Sequence, residues 1–289
     1  MNDRKAALYM MLSAFSFSFM QMAVKFTSQS VPVYEQVFVR NLIMLVIATV
    51  SLKMAGKPLY RDKKNFKGLF FRGFFGMIGV LLYFYATKHL PSADAAILQK
   101  SSPFFVAIFS VLFLKERITK LEVLAFVIAF AGTIFVTKPS LSHLSLPSLA
   151  GLFSAIFAAL AYVIISTLKG KEDNFTIMLS FSVITTVFML PLVIFQFYLP
   201  SFVEILGLLA IGTAGAFGQY FLTKSYTMAQ PGIVSIYNYT NVIFSAVLGY
   251  IFFRDTIDTM SFIGIVLIFG AAYLVYKSKT HSLKDKTLS

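Results

Sequence analysis

Ten apolar segments, each long enough to cross a bilayer as a helix, constrain the fold of this chain more than any other feature. The hydrocarbon core of a bilayer is about 30 Å thick, and a helix needs about 20 residues to cross it. Because the connections between the segments are short, consecutive helices must run in opposite directions. The segments predict ten spans, at residues 6–26, 34–54, 68–88, 92–114, 121–137, 148–168, 175–198, 202–224, 233–253 and 259–277.

The composition indicates that most of the chain is surrounded by lipid. Of the 289 residues, 58% are hydrophobic and only 13% are charged, whereas about a quarter of the residues in a soluble domain are charged. The first apolar run resembles a signal peptide, but it is long and has no clear cleavage site before Lys25, so we interpret it as a retained span. The chain has no cysteine and its three histidines are not clustered, so we predict no metal and no cofactor.

The basic charge follows from topology and needs no nucleic-acid partner. When the N-terminus is placed in the cytoplasm and the spans alternate, most of the 25 lysines and arginines fall on the cytoplasmic side. The opposite side receives Lys25, Lys88, Lys138 and Arg254. This positive-inside asymmetry predicts a multi-pass protein of the cytoplasmic (inner) membrane, with both termini in the cytoplasm.

Two glycine triplets indicate an internal repeat. They stand in RGFFGMIGV of the third span and IGTAGAFGQ of the eighth, and are Gly73, Gly76, Gly79, Gly212, Gly215 and Gly218. Each glycine of the second triplet follows its counterpart by one constant offset along the chain, and the same offset matches Lys115 and Glu116 with Arg254 and Asp255. Glycines at this spacing leave a smooth strip on which another helix can pack closely, so we expect them to serve helix packing.

The repeat predicts two halves, residues 1–144 and 145–289, with five spans each. Because five is odd, the second half enters the membrane from the opposite side. Inverted repeats are typical of secondary transporters, whose binding site lies near the midplane between the halves. The chain is therefore predicted to be an all-α integral membrane protein with ten transmembrane helices in two inverted five-helix repeats.

Three stretches also carry a resemblance to a known family. They are VFVRNLIM in the second span, LQKSSPFF followed by an apolar run and LKER in the fourth, and YTMAQPGIVSIYNYTNVIFSAVLGYIFFRD in the ninth. Together with the ten spans, they resemble the EamA family of the drug/metabolite transporter superfamily over nearly the whole chain. The resemblance implies transport of a small solute by alternating access, through a central cavity lined by both halves. It does not imply one particular substrate.

Two cations, Arg40 and Lys100, are predicted within spans, where ionisable residues are costly and mark functional sites. At 1.5 Å per residue they lie about 9 Å and about 12 Å below the outer boundary. For Arg40, a structural ion pair, for example with Glu35, is an equal alternative to a role in the site. For Lys100, pairing with Asp94 is the alternative to a place in a cavity.

The neighbours of Lys100 favour a water-filled cavity. Gln99, Ser101 and Ser102 make one helical turn polar nearly all round. Pro103 has no N–H and frees the carbonyl group four residues earlier. In a membrane, a freed carbonyl group must find a partner or water.

The repeat offset matches this turn with a polar but uncharged turn of the second half, at Asn238–Asn241. A pair of such turns near the midplane predicts a substrate site, and two hydrogen-bond networks between helices are the alternative. The predicted substrate-binding residues are Lys100, Gln99, Arg40, Tyr237, Asn238, Tyr239, Asn241, Gln219 and Gln21. Tyr220, Tyr83, Tyr85 and Tyr162 are weaker candidates.

The two cations favour a small organic solute that is anionic or zwitterionic, such as an amino acid or another metabolite. Secondary-active and facilitative transport both remain open, because no carboxylate is placed clearly at mid-membrane and Glu35 is the nearest candidate for proton coupling. The alternatives are a membrane enzyme and a channel. The spans lack paired aspartates, a Ser/His pair and an HExxH helix, so we predict no enzyme. Monomer and homodimer are both open.

Overall fold

The computed structural model describes residues 2–27, 30–90, 92–138, 145–254 and 258–288, and all regular secondary structure in these ranges is helical. Ten stretches in them are long and apolar enough to cross a membrane, which confirms the ten predicted spans. The α-helices are α1 (Asn2–Thr27), α2 (Val33–Met54), α3 (Phe66–His89), α4 (Ser92–Gln99), α5 (Ser102–Leu114), α6 (Lys120–Thr137), α7 (Leu146–Thr167), α8 (Asn174–Phe195), α9 (Phe202–Met228), α10 (Pro231–Val234), α11 (Thr240–Phe253) and α12 (Thr259–Leu288).

The fourth and ninth spans are each divided into two helices. In the fourth span, α4 and α5 are separated by Lys100 and Ser101, and in the ninth a 3₁₀ helix at Ser235–Tyr239 joins α10 to α11. The break in the fourth span has a local cause, because Pro103 in the first turn of α5 cannot donate to the carbonyl group of Gln99. The repeat offset aligns α4 with α10 and the 3₁₀ helix, and α5 with α11.

Both divided spans also end in the same way. Lys115 follows α5 with a φ of 55°, and Arg254 follows α11 with a φ of 58°. A residue other than glycine is uncommon in this left-handed region. The two residues are matched by the repeat, so the same unusual backbone turn occurs at equivalent positions. Asp255, the predicted counterpart of Glu116, lies outside the described residues.

Helices of one half pack mainly against helices of the other, in pairs that are preserved when the halves are exchanged. The repeat matches α1 with α7 and α3 with α9, so the contact between α1 and α9 is equivalent to the contact between α7 and α3. The other two contacts, α2 with α8 and α6 with α12, each join a helix to its own counterpart. These are the most extensive helix contacts in the described structure. This is the arrangement of two inverted five-helix repeats. The predicted boundary after residue 144 falls at the edge of a segment outside the described residues and stays a proposal.

The outer glycines of both triplets lie at these contacts between the halves. A Cβ atom added at Gly73 would collide with a side chain of α8, and one at Gly79 would lie 3.2 Å from backbone atoms of α7. In the second half, a Cβ atom at Gly212 would collide with a side chain of α2, and one at Gly218 would lie 2.8 Å from an aromatic ring of α1. Equivalent glycines of the two triplets therefore contact equivalent helices of the opposite half.

Candidate functional site

The side chains of Lys100 and Asn241 meet at the breaks of the two divided spans. The Lys100 Nζ donates a hydrogen bond to the Asn241 Oδ1. Lys100 is half-buried, and Asn241 is only 2% exposed. Because Lys100 lies between α4 and α5 and Asn241 lies in the first turn of α11, the contact joins one half of the molecule to the other. The structure thus brings together two residues from the two polar turns of the repeat.

A chain of hydrogen bonds continues from Asn241 into α1. The Asn241 Nδ2 donates to the Ser18 Oγ at 2.6 Å. The Ser245 Oγ lies 3.2 Å from the Ser18 Oγ and donates to the Gln21 Oε1 at 2.9 Å. Gln21 therefore belongs to the same network as Lys100. Ser18 and Ser245 are missing from the sequence prediction, because a single hydroxyl group in a phenylalanine-rich span gives no distinguishing signal.

Gln99 and Gln219 have partners outside this network. Gln99 accepts a hydrogen bond from the Ser154 Oγ at 2.7 Å, which connects α4 to α7. Gln219 is buried and donates at 3.3 Å to Thr223 of its own helix. Gln99 thus takes part in a contact between the halves, whereas Gln219 contacts a residue on the same face of α9.

The aromatic residues of the ninth span lie in the packed core in this conformation. Tyr239 is fully buried, and its hydroxyl group has no hydrogen-bond partner among the described residues. Tyr237 is 8% exposed and belongs to the same hydrophobic cluster. Asn238, between them in the 3₁₀ helix, is half-buried. None of the three joins the hydrogen bonds around Lys100 among the described residues.

Arg40 lies on α2, where it faces α1 and α9. Its Cζ is 5.9 Å from the centre of the Phe17 ring, and a Cβ atom added at Gly215 would lie 2.9 Å from its Nε. That Nε is buried and has no hydrogen-bond partner among the described residues. The structure places no ion pair between Arg40 and Glu35, and the buried Oε2 of Glu35 has no partner in the part of the chain that is described.

Arg72 is a third cation within a span. It lies four residues into the predicted third span, and the topology prediction counts it with the basic residues of the cytoplasmic side, whereas the structure places it on α3 with only 1% of its surface exposed. Its Cζ lies 4.6 Å from the centre of the Phe181 ring on α8. The sequence signal that could have indicated a buried Arg72 is Gly76, four residues later on the same helix face. A Cβ atom at Gly76 would lie 2.5 Å from the Arg72 Nη1.

Tyr162 lies on α7, which packs against α3 and also contacts α9. Its ring stacks on Tyr226 of α9, with centroids 5.3 Å apart. The three cations, the amides and the hydroxyl groups of this region are suited to binding a polar solute. Among the described residues, no group of three or more His, Asp or Glu side chains could hold a metal ion.

The divided spans meet at one end of the bundle. At one end, α5 packs against α10, and the Gly232 backbone N–H donates to the Glu116 Oε2 at 3.1 Å. Exchange of the halves would place an equivalent contact between α11 and α4. No contact of comparable extent joins those two helices in the described structure. Among the described residues, the halves are therefore related by pseudo-symmetry but differ in the extent of this contact.

The fold and the polar contacts between the halves are those expected of a polytopic membrane transporter of small solutes. The profile of the EamA-like transporter family matches residues 4–138 and 146–277. The chain belongs to this family, which confirms the resemblance found in the sequence.

Named relatives cover nearly the full chain. The pseudopaline exporter CntI of Pseudomonas aeruginosa (strain UCBPP-PA14) is 34% identical over 278 residues, which are 96% of this chain and 97% of CntI. The S-adenosylmethionine uptake transporter of Rickettsia felis is 24% identical over 278 residues, 96% of this chain and 94% of that protein. A solved crystal structure is similar to this chain with a TM-score of 0.82 and 18% sequence identity. The match covers 93% of this chain and 95% of the chain in that structure, and it confirms the fold.

Proposed function

We propose that this protein carries an anionic or zwitterionic small organic solute across the cytoplasmic membrane by alternating access, as a secondary-active or facilitative transporter. The observation that carries this proposal is the contact of Lys100 with Asn241 at the breaks of two divided spans. In inverted-repeat carriers, discontinuous helices of both halves form the binding site. The relatives named for pseudopaline export and S-adenosylmethionine uptake support a metabolite as the solute.

The charge of Lys100 supports an anionic group on the solute. Its ammonium group contacts the neutral amide oxygen of Asn241. The side chain of Asp94, the alternative partner, lies outside the described part of the chain, and no carboxylate among the described side chains contacts Lys100. The Lys100 ammonium group is charged but Asn241 is not, so an anionic partner would add the attraction between opposite charges, which is larger in a protein interior than in water. A carboxylate or phosphate of the solute can therefore replace the amide as the partner of Lys100 at a gain in free energy.

The unequal contacts of the divided spans support alternating access. With the N-terminus in the cytoplasm, the end where α5 contacts α10 faces the cytoplasm. The conformation is then closed on the cytoplasmic side, and the solute enters between α4 and α11. If the two halves exchanged their conformations, the same site would open to the cytoplasm. Both the orientation and the choice of the cytoplasmic membrane rest on the distribution of lysine and arginine.

The test is solute flux in proteoliposomes that contain the purified full chain. We expect saturable flux of an anionic or zwitterionic metabolite, with pseudopaline as the first candidate, and we expect Lys100→Ala to reduce it about tenfold or more. Lys171→Ala is the matched control, because Lys171 is exposed in a predicted cytoplasmic loop. Transport of a neutral or cationic solute that survives both Lys100→Ala and Arg40→Ala would contradict the proposal. A non-saturating conductance would indicate a channel, and chemical conversion of the solute an enzyme.

A further inference from the structure

The middle glycine of each triplet makes room for an arginine. A Cβ atom at Gly76 would lie 2.5 Å from the Arg72 Nη1, and one at Gly215 would lie 2.9 Å from the Arg40 Nε. The two glycines are counterparts in the repeat. The middle glycines also contact neighbouring helices, through Phe181 and Met20, whereas no arginine is among the nearest atoms given for the outer glycines. The glycine triplets thus have two functions, because their ends allow helices to approach and their centres accommodate guanidinium groups.

The two arginines are not counterparts of each other. Arg72 comes from the same helix as its glycine, whereas Arg40 reaches its glycine from α2. The repeat matches Arg40 with Leu179 and Arg72 with Ile211, which are both apolar. The positive charges therefore break the pseudo-symmetry of the halves, as a binding site for an asymmetric ligand would.

Neither guanidinium group has a carboxylate partner in the part of the chain that is described. Arg72 is 1% exposed, and the Nε atoms of both arginines are buried without a hydrogen-bond partner. The faces of Phe181 and Phe17 provide cation–π contacts, which offset only part of the cost of removing a charge from water. An anion that is bound by the two arginines would supply the missing partner.

The two arginines also lie beside one buried cluster, because Phe181 below Arg72 packs in the same cluster as Met44, one turn after Arg40 on α2. The charges of both arginines also act on the Tyr162 hydroxyl group. Two arginines and one hydroxyl group provide several donors, and guanidinium groups bind carboxylate and phosphate oxygens in bidentate geometry. We propose that Arg40 and Arg72, with the Tyr162 hydroxyl group, form a second anion-binding site for carboxylate or phosphate groups of the solute. This deepens the proposed function and rests on it, because the solute then carries anionic groups for this site as well as for Lys100.

The test is the thermal unfolding of the purified full chain in phosphatidylcholine nanodiscs. The probes are citrate and inorganic phosphate, compared with acetate and chloride at equal ionic strength. We expect citrate or phosphate to raise the unfolding temperature saturably, by mass action. Arg72→Gln, Arg40→Gln and Tyr162→Phe should weaken the apparent affinity, whereas exposed Arg61→Gln should leave it unchanged. No saturable effect of either polyanion on the wild type would overturn the proposal.

The glycines provide a matched comparison that leaves both arginines in place. Gly76→Ala should displace the Arg72 guanidinium group and weaken polyanion binding about tenfold, the change expected when a charge-assisted hydrogen bond is lost. Gly79→Ala in the same triplet also crowds a helix contact, but the atoms nearest to its Cβ belong to the backbone of α7, so it should lower the unfolding temperature and leave the affinity unchanged. An equal loss of affinity in both variants, or in neither, would overturn the site. This comparison decides the question even if Arg72→Gln fails to fold.

Further measurements distinguish a lipid headgroup from a solute as the source of the anion, and the failure of the anion site from the failure of the transport proposal. If nanodiscs with added phosphatidylglycerol stabilise the protein through Arg72 while citrate and phosphate do not, the site binds a lipid headgroup and the proposal for a solute is wrong. If flux depends on Lys100 but polyanion stabilisation does not depend on Arg40 or Arg72, the transport proposal survives and this inference fails. If polyanion stabilisation depends on the arginines but no flux occurs, the anion site stands and the transport proposal fails.

Discussion

Lys100 and Asn241, from opposite halves of the chain, are joined by a hydrogen bond at the breaks of the fourth and ninth spans. The contact depends on both breaks. Lys100 lies between two helices because Pro103 cannot continue the first one, and Asn241 follows a 3₁₀ helix that realigns the ninth span. A cation held by a neutral amide keeps its attraction for an anion, and this property leads to the first prediction.

Asn241→Asp should inhibit transport without unfolding the protein. The new carboxylate would form an ion pair with Lys100 and compete with an anionic group of the solute. We expect the apparent affinity for the solute in proteoliposomes to fall about tenfold or more, while the unfolding temperature is maintained or rises. Ser245→Ala is the control, because it removes a hydrogen bond of the same network and adds no charge. Wild-type affinity in the Asn241→Asp variant would show that Lys100 does not receive the solute.

Closure of the α5–α10 end can be fixed by a disulfide bond. The chain has no cysteine, so two introduced cysteines have no competing thiol. A Cβ atom at Gly232 would lie 3.2 Å from the Ser110 Cβ, close to the separation of about 3.5–4.5 Å in disulfides. The double variant Ser110→Cys/Gly232→Cys should form the bond under oxidation, lose flux and regain it after reduction. Each single variant should keep its flux under oxidation, and transport by the oxidised double variant would show that this end need not open.

Arg72→Met should increase the stability of the protein in the absence of a polyanion. Methionine keeps an unbranched side chain beside Phe181 and removes a buried charge without a described ionic partner. Replacing buried charges with hydrophobic groups of similar volume often stabilises a protein by about 1–4 kcal/mol. The measurement is the unfolding temperature without added anion, and Arg61→Met is the exposed control. A large fall for Arg72→Met alone would indicate that the guanidinium group stabilises the fold.

Asp173 should stabilise the protein in a pH-dependent manner. It caps the N-terminus of α8 through the Phe175 N–H at 3.0 Å and pairs with Lys57 at 2.7 Å. Burial acts to raise the pKa of Asp173, but the hydrogen bonds from Lys57 and Phe175 outweigh it and hold the pKa below the usual 3.8. Because the folded-state pKa is lowered, the stabilisation is fully present above about 3.8, the unfolded-state pKa, and is lost as the pH falls through the folded-state pKa.

The corresponding variant is Asp173→Asn, which keeps a capping side chain but lacks the charge. At pH 7 we expect a lower unfolding temperature than for the wild type, equivalent to about 1 kcal/mol or less. The difference should shrink as the pH falls through the folded-state pKa. A difference that is constant with pH would indicate that the charge of Asp173 is not responsible. Asp62→Asn, at the exposed N-terminus of a 3₁₀ helix formed by Lys63–Asn65, is the control for a surface carboxylate.

The sequence by itself determined the ten spans, because the thickness of a bilayer sets the length of each apolar run. It also determined the repeat, because matched residues recur at a constant offset along the chain. It also identified Lys100 and Asn241 as candidates, because Pro103 and the matched polar turns are local features. The sequence did not identify Arg72 as a buried cation, because its environment depends on residues far away along the chain. A charge close to the end of an apolar run has the same local pattern whether it faces water or the packed interior.

Only the tertiary structure decided which side chains meet. The buried position of Arg72 depends on Phe181, which belongs to the other half of the chain, and on the space beside Gly76. Tyr237 and Tyr239 face the core because of the direction of a 3₁₀ helix, which polarity alone does not specify. Hydrophobicity places a segment in the membrane, but the rotation of each helix is set by packing against its neighbours, and that packing selects the residues of the site.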